Sequence, residues 1–172
     1  MAMLNKKILI IFSVFLGLSI ISLPGYSAEP ATMQMDIPQT QYQMSRPSEW
    51  IAGGVSGENV LASFKSNQGF YPNLNIFLED HPNKTPEQVF LSLKSKLPSP
   101  SVLKAETIDV NGVSVHLSDV SWSSILGSLR ALRVITKHNQ KMLIITFVGK
   151  KEVLSDEEKK FFEACLMSLH KK

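Results

Sequence analysis

Residues 142–169 constrain the fold more than any other stretch: an apolar run, a short charged break, then one amphipathic helix pattern. Met142-Leu-Ile-Ile-Thr-Phe-Val148 is too apolar to face water on either side, so it predicts a central strand covered on both faces. Ser155-Asp-Glu-Glu158 has the form of a capping box. The Ser155 hydroxyl can accept from the backbone N–H three residues on, while Glu158 reaches back to the Ser155 N–H. Acids in that first turn also suit the positive end of the helix dipole. Phe161, Phe162, Cys165, Leu166 and Leu169 follow at spacings that put them on one face, ready to pack on the strand. The spacing predicts that this face is buried.

The chain has 172 residues, enough for one globular domain and a short extra segment. That segment is at the start. Lys6 and Lys7 precede the uncharged apolar run Ile8–Leu23, Pro24-Gly25 breaks it, and Ser27 and Ala28 follow. This is the three-part form of a secretory signal peptide over residues 1–28. The run is shorter than the roughly 20 residues of a spanning helix, which favours cleavage over anchoring. A cut after Ala28 leaves bulky Tyr26 three residues back, and a cut after Ser27 with Gly25 in that place is the alternative. No Cys lies near either site, so a lipoprotein cut is excluded. The expected location is exported and periplasmic, with an uncleaved N-terminal anchor as the alternative and the only route to membrane contact.

The signal changes the meaning of the charge. Eighteen basic and 15 acidic residues give +3 and a pI near 9.0, but Lys6 and Lys7 fall in the signal, so the mature part is 16 minus 15, or +1. The remaining lysine pairs, such as Lys150-Lys151 and Lys159-Lys160, are scattered, without the basic stripe of a nucleic-acid footprint. Nucleic acid is not an expected partner. A lone Cys cannot form an internal disulfide, and Cys165 reads as a buried small hydrophobe, with an intermolecular bridge as the alternative.

Glu29–Gln41, with Pro30 and Pro38 and no sustained period, reads as a flexible lead-in, and residues 42–172 as a single domain. Arg46-Pro-Ser-Glu-Trp50 is a turn that delivers a large aromatic. Val60, Ala62 and Phe64, then Leu74, Ile76 and Leu78, alternate with polar residues and predict an antiparallel strand pair. Thr85-Pro-Glu-Gln88 is a second capping box with Pro86 at the first helical position. Val89, Phe90, Leu93 and Leu97 form the apolar face of that helix, with Pro98 and Pro100 to end it. Thr107–Val110, Asn111-Gly112 and Val113–Val120 predict a hairpin with a type I′ turn. Residues 122–127 read as a loop or a loose turn, and Leu129–Thr136 as a further strand.

Strands joined by tight turns imply an antiparallel sheet, and the two helices need its faces: an α+β fold, an α/β/α sandwich. The order resembles the PsbP-like fold family, which includes DcrB-like bacterial envelope proteins. The resemblance spans about Tyr42 to Leu169 and rests on Arg46-Pro-Ser-Glu-Trp50, the strand pair, the Thr85-Pro-Glu helix start, Val110-Asn-Gly-Val113, the 142–148 strand and the acid-capped last helix. It implies a non-enzymatic accessory or binding module, with no catalytic residue to carry over. The missing lipidation Cys departs from many bacterial relatives.

The residues themselves agree on chemistry. Neither Gly-x-Ser-x-Gly nor Ser-x-x-Lys with its partner motifs is present, so no hydrolase site is expected. His116 with Asp119, and Glu79-Asp-His81, are the closest approaches to a metal set, and neither has a recognisable ligand spacing. Met33, Met35 and Met44 are soft ligands that suit Cu(I), against the commoner role of apolar packing. No cofactor and no metal site is expected. Phe70, Tyr71 and Trp122, beside turns, are the candidate partner-binding residues, because large aromatics on loops anchor interfaces; Trp50 is similarly placed. The opposing reading has such aromatics folding back on the sheet edges. The expected function is an exported accessory module that docks an envelope protein. The alternative is a small-ligand or metal carrier using a pocket between sheet and helix or the Met-rich start.

Overall fold

The apolar run 142–148 is the core of the middle strand of the main sheet. The computed structural model describes residues 31–54, 57–67, 72–152 and 154–172. The strands are β1 (Thr32–Asp36), β2 (Tyr42–Pro47), β3 (Ile51–Ala52), β4 (Val60–Lys65), β5 (Asn73–Asp80), β6 (Ser101–Val110), β7 (Val113–Ser124), β8 (Gly127–His138), β9 (Lys141–Lys150) and β10 (His170–Lys171). Helix α1 (Pro86–Lys94) follows β5, and α2 (Asp156–Met167) follows β9. Seven strands form the main sheet in the order β3-β4-β5-β9-β8-β7-β6, and β1-β2-β10 form a small second sheet. All neighbours are antiparallel. With a helix on each side of the main sheet, the fold is the expected α+β sandwich.

The pleat of β9 distributes its side chains between two cores. Leu143, Ile145 and Phe147 face α2, where Phe162, Cys165, Leu166 and Leu169 meet them together with Tyr42 and Met44 of the small sheet. Met142 and Ile144 face α1 and pack with Val89, Phe90 and Ile135. Trp50 closes the α2 side: its ring lies 5.5 Å from Phe162 and 5.9 Å from Phe147, and those two stack at 4.7 Å. Burial there pushes the Cys165 thiol up to about 11. Asp119 of β7 locks the same side. It accepts from Arg130 Nε at 2.8 Å and Nη2 at 2.6 Å, and Lys159 Nζ of α2 stands 3.4 Å away.

Both capping boxes form, Thr85 with Gln88 and Ser155 with Glu158. Asn111 and Gly112 take φ of 51° and 78°, as the type I′ turn requires. The Asn111 amide also donates to the carbonyls of Met167 and Leu169, tying that turn to the end of α2. Four boundaries differ from the sequence reading. Part of the flexible lead-in over 29–41 is a strand, since Thr32–Asp36 pairs with β2; it is exposed apart from Met35, so no apolar alternation marks it. Helix α1 ends at Lys94, and Leu97 packs from a following turn held by i→i+3 bonds, because Pro98 disfavours helical geometry at Leu97. Strand β6 begins at Ser101; a bulge between Val102 and Lys104 breaks its period. Residues 122–124 belong to β7 and Gly127 to β8, leaving only Ile125-Leu126 as the turn.

Candidate functional site

The α1 face of the main sheet carries a row of polar residues lying directly opposite one another across five strands. Ser63 of β4 is opposite Asn75 of β5, Asn75 opposite Thr146 of β9, Thr146 opposite Arg133 of β8, and Arg133 opposite Ser118 of β7. Directly opposed residues share a face, with Cβ atoms roughly 5 Å apart. The flanking rows on the central strands are apolar: Phe77, Ile144 and Ile135 on one side, Val148, Ala131 and Val120 on the other. Ser63 Oγ donates to Asn75 Oδ1 at 2.9 Å, and Asn75 Nδ2 donates to Asn73 Oδ1 at 2.8 Å. Arg133 Nε donates to Thr146 Oγ1 at 3.1 Å. Ser118 is 0% exposed and its hydroxyl has no partner.

Electrostatics single out Arg133. Desolvation pulls its guanidinium down to about 10, only partly opposed by the charge of Glu79. Glu79 itself is engaged by His81, at 2.9 Å. A recess of about 240 Å³ opens beside this pair, lined by Glu79, His81 and residues of α1 such as Ser92 and Leu93. His116, next to Ser118 on the same face of β7, packs against Phe90 with the rings tilted by 38° and their centroids 4.9 Å apart, and burial lowers its pKa.

A second feature lies at one end of the sheet. The β7–β8 turn presents Ile125 at 102% exposure and Leu126 at 56%. Ser124 shapes the turn: its hydroxyl accepts from the Leu126 N–H at 3.0 Å and donates to the Gly127 carbonyl at 2.9 Å, while Gly127 takes φ +101°. Trp122, half-buried, sits behind the turn opposite Leu129. Val102 and Leu103, at the start of edge strand β6, are exposed at the same end. Phe70 and Tyr71 lie outside the described residues; the strand ends that flank them, Lys65 and Asn73, are also at this end.

No family model matches the chain, and no curated protein matches it in sequence. Solved structures do match in shape. The solution structure of cyanobacterial PsbP (CyanoP) from Synechocystis superposes with a TM-score of 0.65 at 15% identity, covering 86% of this chain and 96% of that one. The fold is PsbP-like. LpqN, described as involved in cell envelope biogenesis of Mycobacterium tuberculosis, matches at TM-score 0.52 and 9% identity over 80% of this chain and 90% of its own. A protein from Bacteroides thetaiotaomicron matches at 0.54 and 15% identity over 81% of this chain and 48% of its own length.

Within this PsbP-like fold the remaining candidates separate. His116 and Asp119, three apart on one strand, point to opposite faces, Asp119 toward Arg130 and His116 toward Phe90. Met35 lies opposite Met44, which is 0% exposed, while Met33 is 43% exposed. Among the described residues, no three of His, Cys, Asp and Glu stand close enough to hold a metal, and no helix is long and apolar enough to cross a membrane. Trp50 is a core residue at 6% exposure. The polar row was invisible in sequence order, since its members are separated by between about 12 and 43 positions and only strand register aligns them. Ile125 and Leu126 carried a weak signal, two large apolar residues in a predicted turn.

Proposed function

We propose that the protein is a non-catalytic, exported accessory module that docks a protein partner in the cell envelope. The carrying observation is the β7–β8 turn, where Ile125 and Leu126 stand exposed in front of half-buried Trp122. Branched apolar side chains at an exposed hairpin tip are unfavourable in water and favourable once a partner covers them. Support for the compartment comes from the n-, h- and c-region pattern of residues 1–28 and from the printed role of the similarly folded LpqN in cell envelope biogenesis. Phe70 and Tyr71, outside the described residues, join this proposal from their sequence alone, as large aromatics beside a turn.

The test is site-specific photocrosslinking in the native envelope, with the crosslinker at position 125 and, as a control, at exposed Leu91 on α1. One crosslinked protein band from position 125, absent from position 91 and lost in Trp122→Ala or Phe70→Ala/Tyr71→Ala variants that fold normally, supports the docking end. Equal labelling from both positions, or none from 125, overturns it. Intact-mass measurement of the exported protein fixes whether the cut follows Ser27 or Ala28, and an uncut chain would favour the anchored form.

A further inference from the structure

The two edges of the main sheet are built differently. At one edge β3 spans two residues, too short to offer a row of free backbone groups. At the other, β6 runs for ten residues and, among the described residues, pairs only with β7. Helix α1 lies over β7 and β8, and residues 101–107 of β6 are exposed throughout. The bulge between Val102 and Lys104 guards one end, while residues 104–110 keep regular register with β7 and contain no proline. Val110 and Val113 close the two-residue turn, so they exchange both backbone bonds, and the alternation of an antiparallel ladder fixes the rest. Lys104, Glu106 and Ile108 turn their N–H and C=O toward β7; Ala105, Thr107 and Asp109 turn theirs to the open edge. An extended strand can add there without disturbing any existing backbone bond.

The charges on β6 identify the strand that fits. Lys104 and Glu106 are exposed neighbours on one face, joined at 2.8 Å, with Ala105 between them. Turned over by a twofold axis through Ala105, this triplet is complementary to itself. Lys104 then lies opposite the partner's Glu106, Glu106 opposite the partner's Lys104, and the small Ala105 opposite the partner's Ala105. The nearest alternative registers, two residues away either way, set Lys104 against the partner's Lys104 or Glu106 against the partner's Glu106, which like-charge repulsion disfavours. Across the bulge, Val102 and Thr107 share the α1 face through their neighbours Val120 and His116, so Val102 comes against the partner's Thr107. We infer that β6 pairs antiparallel with the β6 of a second copy, in the register centred on Ala105, joining two main sheets into one. An unrelated extended peptide would satisfy the same backbone groups but not this alternation of charge. The interface shares no residue with the Ile125-Leu126 turn, so it holds or fails independently of envelope docking.

The test is sedimentation of the exported, signal-cleaved chain over a concentration series, with amide hydrogen exchange read at each concentration. The expected result is a reversible monomer–dimer equilibrium. Protection of the Ala105, Thr107 and Asp109 amides should rise in step with the dimer fraction. Both charges are exposed, so Lys104→Glu and Glu106→Lys should fold normally. Each should weaken self-association at least about tenfold, because one substitution creates two like-charge pairs across the axis. Mixed in equal amounts, the two variants should associate with each other as well as the natural chain does with itself, since every cross-strand pair is again of opposite sign. The double variant Lys104→Glu/Glu106→Lys should likewise self-associate. A single-chain mass at every concentration, undiminished association of the single variants, or no recovery on mixing would each overturn the assignment. So would edge amides protected independently of concentration, which would mean that another part of the same chain fills the edge.

Discussion

The two faces of the main sheet are covered very differently. On the α2 face, a twelve-residue helix, the small sheet and Trp50 seal a continuous apolar core, and Asp119, a buried acid on that face, is paired with Arg130 through both oxygens. On the α1 face, a nine-residue helix covers a smaller cluster, and a polar row containing an under-partnered arginine and an unpartnered serine crosses the sheet beside it. The same strands supply both faces, so neither strand propensity nor overall hydrophobicity explains the contrast. A domain holding only its shape would gain by making both faces apolar, because well-packed hydrophobic replacements of buried charge are often neutral or stabilising. The retained polarity of one face is what distinguishes it from the sealed apolar core of the other.

Substitutions can break this comparison. Leu166→Ala, on the sealed face at 0% exposure, should cost about 2–5 kcal/mol in a denaturant melt; an unchanged stability would mean α2 does not seal the core. Asp119→Ala should cost about 3 kcal/mol by stranding Arg130 beneath α2, whereas Arg133→Met on the other face should be tolerated within about 1 kcal/mol. Equal losses from the two would erase the distinction. The caps sharpen it at about 1 kcal/mol each: Ser155→Ala should lower global stability, while Thr85→Ala should chiefly raise amide exchange within α1.

Acid probes the α1 face specifically. Burial lowers the His116 pKa, so the unfolded chain binds the proton first, and stability falls as pH drops below the unfolded value near 6.5 toward the folded one. His116→Phe should flatten the fall of the melting temperature below about pH 6.5 relative to the natural chain. The smallest effect is expected at the exposed turn: Ile125→Ser should stay within about 0.5 kcal/mol while removing crosslinking to a partner.

What could be read without coordinates was whatever local chemistry decides. The 142–148 run, both capping boxes and Asn111-Gly112 state their conformations in a few adjacent residues, and each appears in the structure where the sequence places it. Strand β1 escaped because its order comes from the backbone of β2 rather than from side-chain alternation. The β6 start escaped because a bulge resets the period, and the β7–β8 turn because Ser124 makes by side-chain hydrogen bonds a turn that Asn-Gly would have announced. Of the turn aromatics, Trp50 is a core residue and Trp122 is half-buried near two exposed aliphatics that carried no aromatic flag. Arg133 looked like an ordinary strand residue, since its isolation depends on which side chains four other strands bring to its row.

The pairing of β5 with β9 has a kinetic meaning. Asn73 lies opposite Val148, about 75 positions later, and between them the chain builds a helix and three strands. In any chain that emerges N-terminus first, β5 appears before its neighbour, and an interval passes before β9 arrives. Throughout that interval its edge, with Leu74, Ile76 and Leu78 on one side, is open to any other extended segment. The β4–β5 pair and the pairs from β6 to β9 join consecutive strands, whereas β5 on β9 is the long-range pairing that loop closure makes slower. The centre of the finished sheet is thus a late seam, and crowding or slow release of the chain would injure the protein there first.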